Sequence, residues 1–174
     1  MNPYNKNGII LSVHPVWLGK MAEGKKTLAI RKKLPRLQTP FKVYLYCTKL
    51  SENQIYRSPE GVYLGYSRKR PKDICCAGRV VGEFTCTNLY NYSTRQGTPD
   101  TISTEEIVRR SCLSFMELYQ YECINGKQCG PDERSGIVAM EISDITFYDR
   151  PKLLLDYGLT ASPMSWSYAR KVPE

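Results

Sequence analysis

Apolar and polar positions alternate along this chain in short runs, each closed by a proline, a glycine or a cluster of charges. Gly8 to Val13 (GIILSV) has the pattern of a buried strand. Pro15 suits the first position of a helix, in which Val16, Leu18 and Met21 can face inward until Gly24 ends it. Lys26 to Lys33 (KTLAIRKK) then alternates as a strand, with Thr27, Ala29 and Arg31 on one face and Leu28, Ile30 and Lys32 on the other. Phe41 to Cys47 (FKVYLYC) is another strand, with Phe41, Val43, Leu45 and Cys47 inward and Lys42, Tyr44 and Tyr46 outward or in a groove. Two prolines between residues 34 and 40 make the connection a turn.

Residues 48 to 77 lack a clean period and contain Pro59, Gly61, Gly65, Pro71 and the basic run Arg68, Lys69, Arg70, Lys72, which predicts a long loop or hairpin. Gly78 to Asn88 resumes as a strand, and Gly82 in its middle marks a bulge or a close backbone approach. Ser103 or Thr104 starts a helix to about Arg110, and Ser114 with Glu117 is a capping box for a second helix to about Tyr121. Both read as surface elements. Asn125 to Ser135 is a loop, Gly136 to Ile142 and Asp144 to Tyr148 are two strands, Pro151 to Tyr157 is one helical turn, and Ser165 to Arg170 closes the sheet. About six to seven short strands with flanking helices predict an α+β fold, a small mixed β-barrel. No repeat or interdomain linker interrupts 1–174, so one domain is expected, with a long loop at about 48–77 and a helical insertion at about 103–123.

With 174 residues the chain is long enough to bury roughly 70% of its unfolded surface without disulfides or metals. No apolar run approaches the roughly 18 to 20 residues of a membrane helix, and MNPYNKNG lacks the apolar core of a signal peptide, so a cytoplasmic protein is expected. Seven cysteines (47, 75, 76, 86, 112, 123 and 129) are odd in number and scattered, which reads as reduced thiols. His14 is the sole histidine, so no metal site and no cofactor is expected.

Charge changes the picture more. Of the net +8, residues 1 to 51 carry ten bases against one acid, whereas residues from 80 onward carry nine bases against thirteen acids. Six bases fall between Lys25 and Arg36. Such clustering recruits polyanions and makes nucleic acid the first partner to consider, with a solubilising face as the plainer alternative.

The common catalytic signatures are absent: there is no GxSxG elbow, no two-histidine motif and no phosphate loop, since Gly24 to Thr27 lacks the upstream glycine and is followed by a strand. His14 reads as a helix N-cap or a half-exposed packing residue before it reads as a base. Lys26, beside Arg31 and Lys32 at the mouth of a barrel, would have a depressed pKa suited to proton transfer or anion capture. A flat strand puts Lys26 and Arg31 on opposite faces, so a twist or bulge is needed to bring them together. Trp166 and Tyr168, with Trp17, Tyr44 and Tyr46, offer ring faces for base stacking, against the plainer reading of core packing.

The blocks ILSVHPVWLGKMAEGKKTLAIRKK, VYLYCT, GRVVGEF, ITFYDRPKLLLDYG and SPMSWSYAR together resemble the ASCH family of PUA-like barrels, in the form common in phages and in Gram-positive bacteria with mobile elements. The resemblance spans about Ile9 to Arg170. It implies a barrel with a cleft beside the first helix, in a group whose members bind RNA or modified bases. Lys26, Arg31 and Lys32 match the family's basic cleft motif, Glu83 matches the acid of its GxVxGEF strand, and Ser165 and Trp166 match its C-terminal Ser-Trp. The motif ordinarily reads GxKTxExR, or GxKTxTxR in a branch that hydrolyses acylated cytidine, where the Lys and second Thr are proposed as catalytic. Here Ala29 holds that position and can neither attack a carbonyl nor accept a proton. Thr27 is the substitute hydroxyl to consider.

Three functions follow from this reading. The first is an RNA or other nucleic-acid binding module, with a nucleotide or modified nucleoside within its ligand range. The second is a nucleoside amidohydrolase or ribonuclease with Lys26, Thr27 and Glu83 as catalytic candidates. The third is a protein-interaction module that uses the acidic portion from 80 to 174.

Overall fold

The computed structural model describes residues 8–33, 35–49, 53–66, 72–94, 102–123 and 136–173. Its frame is a curled six-stranded sheet in the order β2-β8-β7-β3-β1-β9, the half-barrel of an α+β fold. The strands are β1 (Gly8–Val13), β2 (Leu28–Arg31), β3 (Phe41–Cys47), β7 (Val80–Tyr92), β8 (Ile137–Lys152) and β9 (Trp166–Tyr168). Among the described residues only β1 and β3 pair in parallel, and α1 (Pro15–Ala22) lies between β1 and β2 in the chain.

The segment expected as a loop at 48–77 instead contains a second sheet, β4 (Asn53–Ser58), β5 (Gly61–Tyr66) and β6 (Ile74–Cys75), in the order β5-β4-β6. The described chain thus has nine strands rather than about seven. Ile55 of β4 is fully buried against the α1 side of the main core, together with the partly buried Val62 and Leu64 of β5. The irregular spacing of apolar residues hid this hairpin, because its buried positions are few and include Tyr56 and Ser58 beside Ile55. The basic residues Arg68, Lys69 and Arg70, the loop from Asn125 to Ser135, and Cys129 lie outside the described residues.

Gly136 to Tyr148 is one strand rather than two. β8 runs sixteen residues through Asp144, whose φ of 50° bends it without ending it. Its partner β7 shows three register shifts, between Val80 and Gly82, Glu83 and Thr85, and Cys86 and Leu89. Each shift adds local twist, and together they curl the sheet. Gly82 sits where the backbones approach closely: a Cβ there would lie 2.3 Å from the Thr146 carbonyl oxygen. Pro151 and Lys152 are still strand, and the helical turn is a 3-10 turn, Leu154–Tyr157.

The sheet is covered on both sides. Ala29, Val43, Leu45 and Phe84 enter the main core with Leu18 and Met21 of α1. On the other side Tyr44 and Tyr46, read from the sequence as outward or groove-facing, pack with Ile10, Val80 and Tyr157 in a separate core. They offer no stacking surface.

A third cluster joins Leu28 and Ile30 of β2 to Ile107 of α2 (Thr104–Ser111) and Leu118 of α3 (Phe115–Glu122). These two helices start where expected: Ser103 Oγ accepts from Glu106 N at 3.1 Å, and Ser114 with Glu117 forms a full capping box. They are more than surface decoration, because they close one face of β2.

Candidate functional site

Lys26 leaves the alternation of β2 altogether. It sits in the turn after α1, where Gly24 (φ 70°) reverses the chain and the Lys26 N–H donates to the Lys20 carbonyl at 3.1 Å. Thr27 N then donates to the Arg110 carbonyl at 2.8 Å, which starts the strand under α2. This turn resolves the problem of flat-strand geometry, since Lys26 precedes the strand and reaches the same cavity as Arg31 at its far end.

The Lys26 side chain is 6% exposed. Its ammonium donates to the carbonyl of Ser111, the last residue of α2, and lies 4.9 Å from the centre of the Trp17 ring. A helix C-terminus carries a partial negative charge and an indole face attracts cations, so both partners favour the protonated form. Burial outweighs them and lowers the pKa to about 8, with Arg31 and Lys20 adding to the fall and Cys112 opposing it. Lys20 holds its own ammonium 4.8 Å from the Trp17 ring.

Arg31 is partly buried, and its guanidinium is held by two main-chain carbonyls, Ile30 through Nη1 and Ser12 through Nη2, each at 2.7 Å. Burial lowers its pKa, but a guanidinium starts so high that it stays charged. Among the described residues neither Lys26 nor Arg31 forms an ion pair with a carboxylate. Two cations therefore line one cavity with only carbonyl and ring partners. The cavity holds about 560 Å³ and is bounded by Ser12 and Val13 of β1, Trp17 of α1, Glu117, Gln120 and Tyr121 of α3, and the loop residues Met164 and Ser165.

Lys32 and Trp166 face a neighbouring groove of about 530 Å³, shared with Lys33, Pro163 and Ser167. Lys32 is exposed, with its ammonium 5.0 Å from the Tyr121 ring centre. Trp166 Nε1 donates to the Lys33 carbonyl at 2.9 Å, and its ring meets Tyr168 edge-on at 5.3 Å. Ser165 borders both spaces, and its carbonyl accepts from Ser12 N at 2.9 Å.

Of the remaining sequence candidates, His14 lines the larger cavity, whereas Glu83, Thr27 and Ala29 are placed elsewhere. Glu83 lines neither cavity; Lys42 donates to its Oε1 at 2.8 Å and Tyr148 to its Oε2 at 2.6 Å. Thr27 Oγ1 accepts from Arg110 Nε at 3.1 Å and also lines neither cavity. Ala29 is fully buried in the main core. His14 is exposed at the N-cap of α1 without a side-chain capping bond, and its Nδ1 lies 3.5 Å from Thr48 Oγ1. Among the described residues no group of three His, Cys, Asp or Glu side chains is placed to hold a metal.

Sequence reasoning missed Ser12, Glu117, Gln120, Tyr121 and Met164. The capping box located α3, but no local pattern shows that this helix packs over β2 some ninety positions earlier.

No protein-family model matches the sequence, and no curated protein matches it. Solved structures do. ASCH from Zymomonas mobilis superposes with a TM-score of 0.60 at 16% identity, covering 96% of this chain and 90% of that one. A Tyr-to-Phe variant of ZmASCH from the same organism gives 0.58 at 14% identity over 95% and 92%. A Ser-to-Ala variant gives 0.59 at 14% over 97% and 92%. The protein has the ASCH fold. In this ASCH-fold chain the larger cavity opens beside the first helix, between α1, β2 and α3, and the buried Lys26 and partly buried Arg31 stand in its wall. No described helix is long and apolar enough to cross a membrane.

Proposed function

We propose that the protein is a nucleic-acid binding module, with RNA as its first ligand, and that the cavity between α1, β2 and α3 receives a phosphate. The observation that carries this reading is the shared placement of Lys26 and Arg31, buried or partly buried, without a carboxylate partner among the described residues. Removing charges from water is costly unless a counter-charge meets them, and a polyanion supplies one when it binds. Trp17 and Tyr121 add ring surface in the same cavity, and Trp166 adds it in the neighbouring groove. The ASCH fold supports the reading through its PUA-like relatives, and the basic N-terminal third of the chain supports it through long-range attraction.

The test is binding of fluorescent single-stranded RNA, duplex RNA and DNA at two salt concentrations. The wild type is compared with the Lys26→Ala, Arg31→Ala double variant. If about four phosphates are contacted, log K falls against log salt with a slope near −3 for single strands. Salt-sensitive binding lost in the variant is expected. Undetectable or salt-independent binding overturns the reading.

One observation favours a hydrolase of the ASCH type as the second reading. A lysine with a pKa of about 8 facing a cavity is suited to general base or acid work near neutral pH. The Lys and Thr pairing of the acylated-cytidine branch is not formed here, because Ala29 lies in the core and Thr27 is engaged by Arg110. A hydroxyl for that chemistry would have to come from Ser12, Ser165 or Tyr121 at the cavity wall. Unchanged product traces after long incubation with acylated cytidine and with RNA would remove this alternative.

A further inference from the structure

The cations and rings matched to one cleft in the sequence are divided in the structure between two spaces of similar size. The inner cavity of about 560 Å³ holds Lys26 and Arg31 beside Trp17; the outer groove of about 530 Å³ holds Lys32, Lys33 and Trp166. Tyr121, Met164 and Ser165 border both, so they form a ridge between them. Resting on the nucleic-acid reading above, we infer that the two spaces are adjacent nucleotide subsites. The ligand is then an unpaired step of at least two nucleotides whose linking phosphate crosses the Tyr121–Met164–Ser165 ridge.

Each space falls in the size range that encloses a small organic ligand, and they share only Tyr121, Met164 and Ser165 of their linings. Their chemistry also differs. The inner wall combines apolar Met21, Ile30 and Leu113 with the two shielded cations, which suits an inserted base or ribose with its phosphate at the charged end. The outer wall presents exposed Lys32 and Lys33 beside a fixed indole, which suits a base on the ring and a phosphate in solvent. Trp166 is pinned by its bond to the Lys33 carbonyl and by its edge contact with Tyr168, so its orientation exists before any ligand arrives. Such preorganisation lowers the ordering cost of binding.

The ridge has features of its own. Lys32 holds its ammonium 5.0 Å from the Tyr121 ring, so a positive charge stands where the linking phosphate would pass. Met164 is wholly exposed at 104%, an adaptable thioether side chain between two openings. Bases seated on opposite sides of this ridge are splayed from each other, an arrangement available to single strands and costly for a duplex.

The experiment measures affinity for 5′-phosphorylated homonucleotides of increasing length, from the mononucleotide to the trinucleotide, for each of the four bases. A second subsite with a stacking ring predicts that the step to the dinucleotide tightens binding by about tenfold, and that the next step adds less. In the Lys32→Ala, Lys33→Ala variant, whose two side chains are both exposed, the gain from the second nucleotide should shrink to about twofold or less. A flat series, with the mononucleotide binding as tightly as the longer ligands, overturns the two-subsite inference and leaves the nucleic-acid reading standing. Equal affinity for a hairpin duplex and a trinucleotide also overturns it. Absence of binding by any member overturns both.

Discussion

The ammonium of Lys26 donates to the main-chain carbonyl of Ser111, so a lysine entering β2 is tied to the C-terminus of α2. That bond does not offset its burial, which brings Lys26 from the ordinary 10.5 to about 8. The folded protein therefore releases this proton at lower pH than the unfolded chain does. Between about 8 and 10.5 the unfolded state binds more protons, so stability rises with pH across that window, and below it the folded state carries the full penalty. Lys26→Met keeps the length of the side chain and removes the charge. It should stabilise the protein at neutral pH by about 1 to 2 kcal/mol, after allowance for the lost Ser111 bond. It should also flatten the rise toward alkaline pH. Urea denaturation across pH measures both, and a destabilised Lys26→Met would mean that the lysine is kept for structure.

The same titration acts on binding with the opposite sense. An anion in the cavity meets a charged Lys26 below about 8 and a neutral amine above it, while Arg31 keeps its charge. RNA affinity should therefore fall as pH rises through about 8 at constant salt. In Lys26→Arg the charge persists, and the affinity should stay level over the same range. Fluorescence anisotropy titrations of wild type and variant would decide the matter.

Local pattern was sufficient for β1, α1, β3 and the two capped helices, because each has an uninterrupted period and an identifiable end. It was insufficient for β4 and β5, where only a few positions are buried, and for β8, where the left-handed Asp144 turns a strand that sequence reading divides. Of the site, Lys26 and Arg31 were legible as chemistry but not as geometry. Their convergence depends on Gly24 placing Lys26 outside the strand. Tyr121 and Gln120 depend on α3 sharing a core with β2, a relation set by the buried Leu118, Ile107 and Ile30 rather than by any spacing near the lysine. Glu83 matched a family position, yet its bonds to Lys42 and Tyr148 are made away from both cavities.

Gly82 tests the account of the sheet. A methyl group there would meet the Thr146 carbonyl at 2.3 Å and the Phe147 Cα at 3.0 Å, both main-chain atoms that cannot swing aside. Gly82→Ala should lower stability by about 2 kcal/mol or more, the scale of overpacking in a rigid interior. A thermal midpoint equal to wild type would show that β7 and β8 can separate there without cost.

Glu83 tests the boundary of the site. Burial pushes its carboxyl up, but hydrogen bonds from Lys42 and Tyr148 outweigh that and hold it below the ordinary 4.5. A depressed carboxylate stabilises the fold above its unfolded pKa and loses that contribution as pH falls below it. Glu83→Gln should cost about 1 kcal/mol near neutral pH, reduce the loss of stability on acidification, and leave RNA affinity at constant salt within about twofold. A larger drop in affinity with an intact fold would bring Glu83 back into the site.

Arg110 links the fold to the site. Its guanidinium reaches Glu141 at 2.7 Å, Glu106 at 3.3 Å and Thr27 Oγ1 at 3.1 Å, while its carbonyl accepts from Thr27 N. These contacts hold the end of α2 over the start of β2, the placement that puts Ser111 against Lys26. Arg110→Met retains the stem but leaves Glu141 without its cation, and the pair is mostly shielded, at 16% and 18% side-chain exposure. A loss of about 2 to 3 kcal/mol is expected, below the range for fully buried pairs because some solvent remains. The bond from Arg110 is the main cause holding the Glu141 carboxyl below its ordinary 4.5, so the variant should also lose less stability than wild type does as pH falls below that ordinary value. Arg110→Lys restores charge without the three-way fork and should recover only part of the loss. RNA affinity should weaken in Arg110→Met even where the protein is fully folded, because Lys26 loses its fixed acceptor. Unaltered affinity together with unaltered stability would show that α2 needs no arginine to position the lysine.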